Sequence, residues 1–141
     1  MFPKLDSFAG FVINKTALAM KNEFEKNLKE TDITAVQFGI LKRLWECDGL
    51  NQKELADRTF KTTAEIKHLI DKLEKKGFVT REVNFKDKRE YKIKLTQKGL
   101  EIQHATMPIV YTTLNKSLNG ITEDEVALLM NICNRIFKNL E

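Results

Sequence analysis

Long apolar runs are missing from this chain. No stretch approaches the ~18 uninterrupted apolar residues that a bilayer-spanning helix needs. The opening MFPKLDSF lacks the basic-then-apolar layout of a secretory leader. The expectation is a cytoplasmic protein with no membrane partner. Cysteine is scarce too: Cys47 and Cys133 lie far apart, without zinc-ligand spacing, in helix-like apolar surroundings. They read as buried thiols in a reducing compartment. The two histidines, His68 and His104, have no acidic partner at metal-ligand spacing, so no metal site is expected. Six scattered glycines form no phosphate loop, and no nucleophile–base pair or paired carboxylates stand out. Neither catalytic residues nor a cofactor is expected. Proline is nearly absent, with Pro3 terminal and Pro108 inside a helical pattern. Without a linker or an internal repeat, the chain reads as one domain over residues 1–141.

What remains is a chain of 141 residues, 42% hydrophobic, with a formal net charge of +4. The charge is unevenly spread. Asn51 to Gly99 carries 14 of the 24 Lys and Arg against 8 of the 20 Asp and Glu, so the rest of the chain is slightly acidic. A polyanion should therefore meet the middle of the sequence.

Helical periodicity runs from Asp6 to Lys29 through Phe8, Phe11, Val12, Leu18, Met20, Phe24 and Leu28, with Asp6 or Ser7 available as a cap. Thr34 can cap a second helix that Asp48 and Gly49 stop. Asn51 with Glu54, then Thr62 with Glu65, have the spacing of capping boxes, in which side chains satisfy the orphan donors of a helix start. The second box opens an amphipathic helix with Ile66, Leu69, Ile70 and Leu73 on one face and Gly77 as its stop. From Phe78 the period falls to 2, predicting a hairpin with one apolar and one basic face and a polar turn over 84–90. Thr96 starts another helix. Thr122 with Glu125 caps the last one, after a break at Asn119 and Gly120.

Two short helices joined by a tight turn form a helix-turn-helix, whose second helix can lie in a major groove. Opposite its core stripe lie Ala64, His68 and Lys75, flanked by Lys67 and Lys72. On composition alone these lysines could equally be a solvated helix surface. The hairpin that follows changes the balance. With Lys86, Lys88 and Arg89 at its turn it makes a wing able to reach phosphates or an adjacent minor groove, where a weakly hydrated guanidinium is favoured. The candidate DNA contacts are Lys61, Thr62, Thr63, Ala64, Lys67, His68, Lys72, Lys86, Lys88 and Arg89.

QKELA, LIDKLEKKGFVTR, the wing element Asp87-Lys88-Arg89 and LTQKG together resemble the central block of MarR-family regulators. The motifs cover about one third of the chain, and the order of flanking helices extends the resemblance over nearly all of it. The resemblance implies a mainly α fold with a small β-hairpin. It also implies a winged-helix lobe over 34–99, and dimerisation helices over 1–33 and 100–141. It further implies a homodimer that reads a palindrome in double-stranded DNA, a brace role for Asp87 and a minor-groove role for Arg89. Where the family often has Ser-Thr-Val-Thr-Arg, this chain has Ala64-Glu65-Ile66-Lys67-His68, so no base preference carries over. Glu65 could accept from a cytosine amine, but its capping position favours a structural role.

The resemblance also suggests a crevice for a small aromatic or phenolic effector, for which Phe11, Phe38, Trp45, Met107 and Tyr111 are candidate lining residues; ordinary core packing is the alternative for each. Redox-sensing relatives place a reactive cysteine near the N-terminus; the first helix here has none, which leaves Cys47 as the weaker alternative for a sensor. The rival function is a winged-helix module that docks a protein. It would present an apolar recognition face, whereas this one is basic.

Overall fold

The computed structural model describes the backbone of all 141 residues and every side chain except those of Asn84, Asp87, Lys88 and Arg89. The calls on Asp87, Lys88 and Arg89 therefore fall outside the described side chains. After a 3-10 turn at Leu5–Ser7 the elements are α1 (Ala9–Asn27), α2 (Ala35–Glu46), α3 (Gln52–Thr59), α4 (Thr63–Lys75), β1 (Val79–Asn84), β2 (Asp87–Leu95), α5 (Gln97–Ser117) and α6 (Glu123–Asn139).

Helix starts follow the capping chemistry written in the sequence, with one correction. Capping boxes are formed by Asn51 with Glu54, Thr62 with Glu65 and Thr122 with Glu125, and also by Thr34 with Gln37. Thr96 caps α5 by accepting from the Gly99 N–H. In α1, however, neither Asp6 nor Ser7 caps: both belong to the preceding 3-10 turn, and the N-cap is Phe8. The Ser7 hydroxyl is turned back to donate to the Lys4 carbonyl at 2.7 Å, so it does not reach the helix.

The core lies in the middle of the chain. Ile40, Leu41 and Leu44 of α2, Leu55 of α3, Ile66, Ile70 and Leu73 of α4, and Phe78, Val79 and Ile93 around the hairpin are all buried. Full burial of each such side chain contributes about 1.5–3 kcal/mol. Gly77, at φ 86°, ends α4 in the left-handed region where glycine carries no steric penalty. The hairpin is pinned to the loop before α3: Gly49 N–H donates to the Ile93 carbonyl at 3.0 Å and Ile93 N–H to the Leu50 carbonyl at 2.9 Å.

The strands pair antiparallel with Val79 opposite Leu95, Arg81 opposite Ile93 and Val83 opposite Tyr91, and the register shifts between Val83 and Asn84. The turn is shorter than the residue types suggested, because strand continues to Asn84 and resumes at Asp87, leaving only Phe85 and Lys86 between. The apolar face is also shorter. It ends at Ile93, and Val83 and Tyr91 beyond it are exposed where the hairpin leaves the lobe.

The terminal helices behave differently. Neither α1 nor α6 has a buried residue, and α5 buries only Gly99, Thr106 and Thr113. Phe8 at the N-cap and Val12, Ile13 and Leu18 of α1, and Leu128, Leu129, Ile132 and Phe137 of α6, are exposed. The cysteine reading is corrected here: Cys47 is exposed and Cys133 half-buried. Cys47 caps the C-terminus of α2 in extended backbone, outside the helical stripe, and Cys133 sits on a helix that buries nothing.

Candidate nucleic-acid interface

Burial of Ile66, Ile70 and Leu73 fixes the rotation of α4, so the opposite face is presented outward. Thr63, Ala64, Lys67, His68, Lys72 and Lys75 are exposed on it. Thr62 is exposed as well, but its hydroxyl accepts the Glu65 N–H at 3.1 Å. The Glu65 carboxylate in turn accepts the Thr62 N–H at 2.7 Å. That backbone hydrogen bond, helped by the Thr62 side chain and by Lys61, holds Glu65 below the usual carboxylate range. Glu65 is therefore spent on the helix start. Lys61, just outside α4, is half-buried, and Lys86 at the hairpin turn is exposed.

One residue that sequence reasoning missed links the two parts of this surface. Arg81 lies on the same side of the hairpin as Val79, where an apolar residue fits the alternation, yet its guanidinium reaches α4. It pairs with Asp71 at 2.5 Å and with Glu74 at 2.9 Å. Its Nε also donates to Gln52 of α3 at 3.4 Å. The side chain is only 17% exposed. Arg81 thus ties the base of the wing to the outer flank of the recognition helix. The signal was present as Asp71 and Glu74, three residues apart on one side of α4, with no cation on their own helix assigned to them.

Of the five aromatic and apolar residues proposed for a crevice, the structure brings together only Phe38 and Trp45. A chamber of about 360 Å³ opens between α1, α2 and α5, lined by Met20, Lys21, Phe24, Ala35, Phe38, Val110, Thr113, Leu114 and Ser117. Of the five, only Phe38 lines it. Trp45 stands behind Phe38, rings 5.8 Å apart and edge to face, and donates from Nε1 to the Gly99 carbonyl at 2.9 Å. Phe11 and Met107 are half-buried elsewhere, and Tyr111 faces outward. Met20, Phe24, Val110 and Leu114 were missed because only the packing of α1 against α5 places them on one wall. Among the described residues no group of side chains could hold a metal ion. No helix is long and apolar enough to cross a membrane.

A capped helix pair followed at once by a two-stranded wing, with a basic outer face on the second helix, defines a winged-helix DNA-binding regulator. Residues 33–91 match the sequence profile of the MarR family. The transcriptional regulator SarZ of Staphylococcus aureus (strain USA300) is 31% identical over 120 residues, covering 84% of this chain and 80% of SarZ. The chain belongs to the MarR family, whose members are transcriptional regulators and not enzymes. The fold matches the PcaV transcriptional regulator of Streptomyces coelicolor, solved with its natural ligand (TM-score 0.90, 18% identity, 100% of this chain and 99% of that one). It also matches BpsR of Bordetella bronchiseptica, whose DNA binding is regulated by 6-hydroxynicotinic acid (TM-score 0.89, 15% identity, 96% and 97% covered).

Proposed function

We propose that this regulator is a cytoplasmic homodimeric repressor that occupies a palindromic operator and is released by a small aromatic or phenolic effector. The observation that carries the dimer is the exposed apolar surface of α1 and α6, helices with no buried residue in the single chain. Apolar faces of that extent mark an interface, and a second copy related by a two-fold axis covers both at once. Residues 1–33 and 100–141 then form the dimer body, and residues 34–99 form the reading lobe on each side.

In each lobe Lys67, His68 and Lys72 face the major groove, with Thr63 and Ala64 at the leading end of α4. Lys61 and Thr62 stand beside the phosphates, Lys86 and Lys88 follow the backbone, Asp87 braces the wing and Arg89 enters the minor groove. The effector reading is supported by the apolar chamber between the lobe and the terminal helices, and by the regulation of BpsR by a small aromatic acid. Two measurements test the reading together. The purified chain should sediment at twice its 16.4 kDa mass. Its DNA affinity should fall with salt on a log-log slope of roughly 0.9 per phosphate neutralised. A monomer with salt-independent DNA binding would contradict it and favour the protein-docking alternative.

A further inference from the structure

The apolar chamber does not end at its own wall. A second concavity of about 470 Å³ adjoins it, and Lys21 and Ala35 line both. The two differ in chemistry. Around the shared rim the chamber presents Phe24, Phe38, Val110 and Leu114, whereas the groove presents Arg43, Arg58 and Lys61 beside Lys21. Four cations thus line one groove, and none of its lining residues is acidic. Lys21 and Arg58 form no ion pair among the described residues. Among the described residues Arg43 forms an ion pair only with Glu46, at 3.8 Å. Like charges gathered in a concavity repel, and an anion bound there relieves the repulsion through charge-assisted hydrogen bonds.

Two further features fit an occupant. Gly39 lines the groove, and a Cβ built on it would meet nothing, so a head group can approach the backbone of α2. Phe60 stands at the rim with φ 57°, a left-handed conformation rare for a bulky residue, and its ring rests edge to face on Phe137 of α6. Such strain collects at functional sites. The groove meets the face proposed to read DNA only at Lys61; Lys21, Arg43 and Arg58 are not among the proposed DNA contacts. No residue of α4 lines it, and its cations come from α1, α2, the end of α3 and the turn before α4.

We infer that the effector of this regulator is a small aromatic body carrying a doubly charged phosphate head, the body in the apolar chamber and the phosphate in the Lys21–Arg43–Arg58 groove. This rests on the chamber being the effector site. The ring packs against Phe24 and Phe38, and the phosphate oxygens meet Lys21 at the shared rim and the two guanidiniums beyond it.

Calorimetric titration of the full chain with 1-naphthol, inorganic phosphate and 1-naphthyl phosphate tests the assignment. The ester should bind at least about tenfold more tightly than either part, and high salt should shrink the gain. In the double variant Arg43→Gln/Arg58→Gln the gain should vanish while 1-naphthol affinity and DNA affinity stay at the parent's values. Retained 1-naphthol binding also shows that the variant folds. Equal binding of naphthol and ester overturns the phosphate assignment and leaves the chamber reading standing, whereas failure of both to bind overturns both. If the double variant keeps the ester's gain but loses DNA affinity, the groove is a DNA-backbone contact and the assignment is wrong.

Discussion

Gly99 shows how a single residue sets the geometry of the lobe. A Cβ built there would stand 2.1 Å from the Phe78 carbonyl oxygen, a backbone atom that cannot swing away. The same carbonyl accepts the Thr96 N–H at 3.0 Å, so the start of α5 is drawn onto the entrance of β1. Gly99→Ala should destabilise the protein by roughly 3 kcal/mol through overpacking, read as a drop in thermal midpoint; an unchanged midpoint would show that the two segments can separate at little cost. Arg81 has a different signature. Its two ion pairs are partly solvent-screened, so Arg81→Ala should cost only about 1 kcal/mol of stability. It should nevertheless weaken DNA binding, because the wing loses its tie to α4. DNA affinity unchanged in Arg81→Ala would show that the wing is held by its backbone pairing alone.

The start of α4 depends on a titrating group, as do those of α3 and α6, whose capping boxes use Glu54 and Glu125. The Thr62 backbone N–H holds the Glu65 carboxylate below its ordinary value of 4.5. A depressed folded-state value stabilises the protein above the unfolded value, and that contribution is lost as pH falls through the folded one. Stability should therefore decline on acidification below about pH 4.5, and Glu65→Gln should flatten part of that decline. An identical acid profile for the variant would mean that its charge contributes nothing to the cap.

Capping chemistry and apolar periodicity were local, and for that reason five of the six helix starts and the buried stripe of α4 could be read from residues alone. The start of α1 could not, because Ser7 bonds backwards into a 3-10 turn that no spacing announces. The hairpin's turn misled for a related reason: a polar composition over 84–90 marks exposure, and strand pairing out to Asn84 and Asp87 tolerates it. The chamber was the least legible feature. Its walls join residues far apart in sequence, such as Met20 with Leu114, and only the packing of α1 on α5 decides which apolar side chains share a surface.

At the scale of the whole molecule the division of labour follows burial and charge. The middle of the chain folds around its own core and carries the basic excess, while the flanking helices keep their apolar surface uncovered. The proposed dimer through those helices would position two lobes symmetrically, and symmetry in the protein would then appear as symmetry in its target. The most direct measurement is selection from a randomised pool of duplex DNA by the purified chain. The recovered sites should converge on an inverted repeat with half-sites about one helical turn, ~10 base pairs, apart. Enrichment of unsymmetric sites, or no enrichment above the starting pool, would contradict a dimer that reads operator DNA.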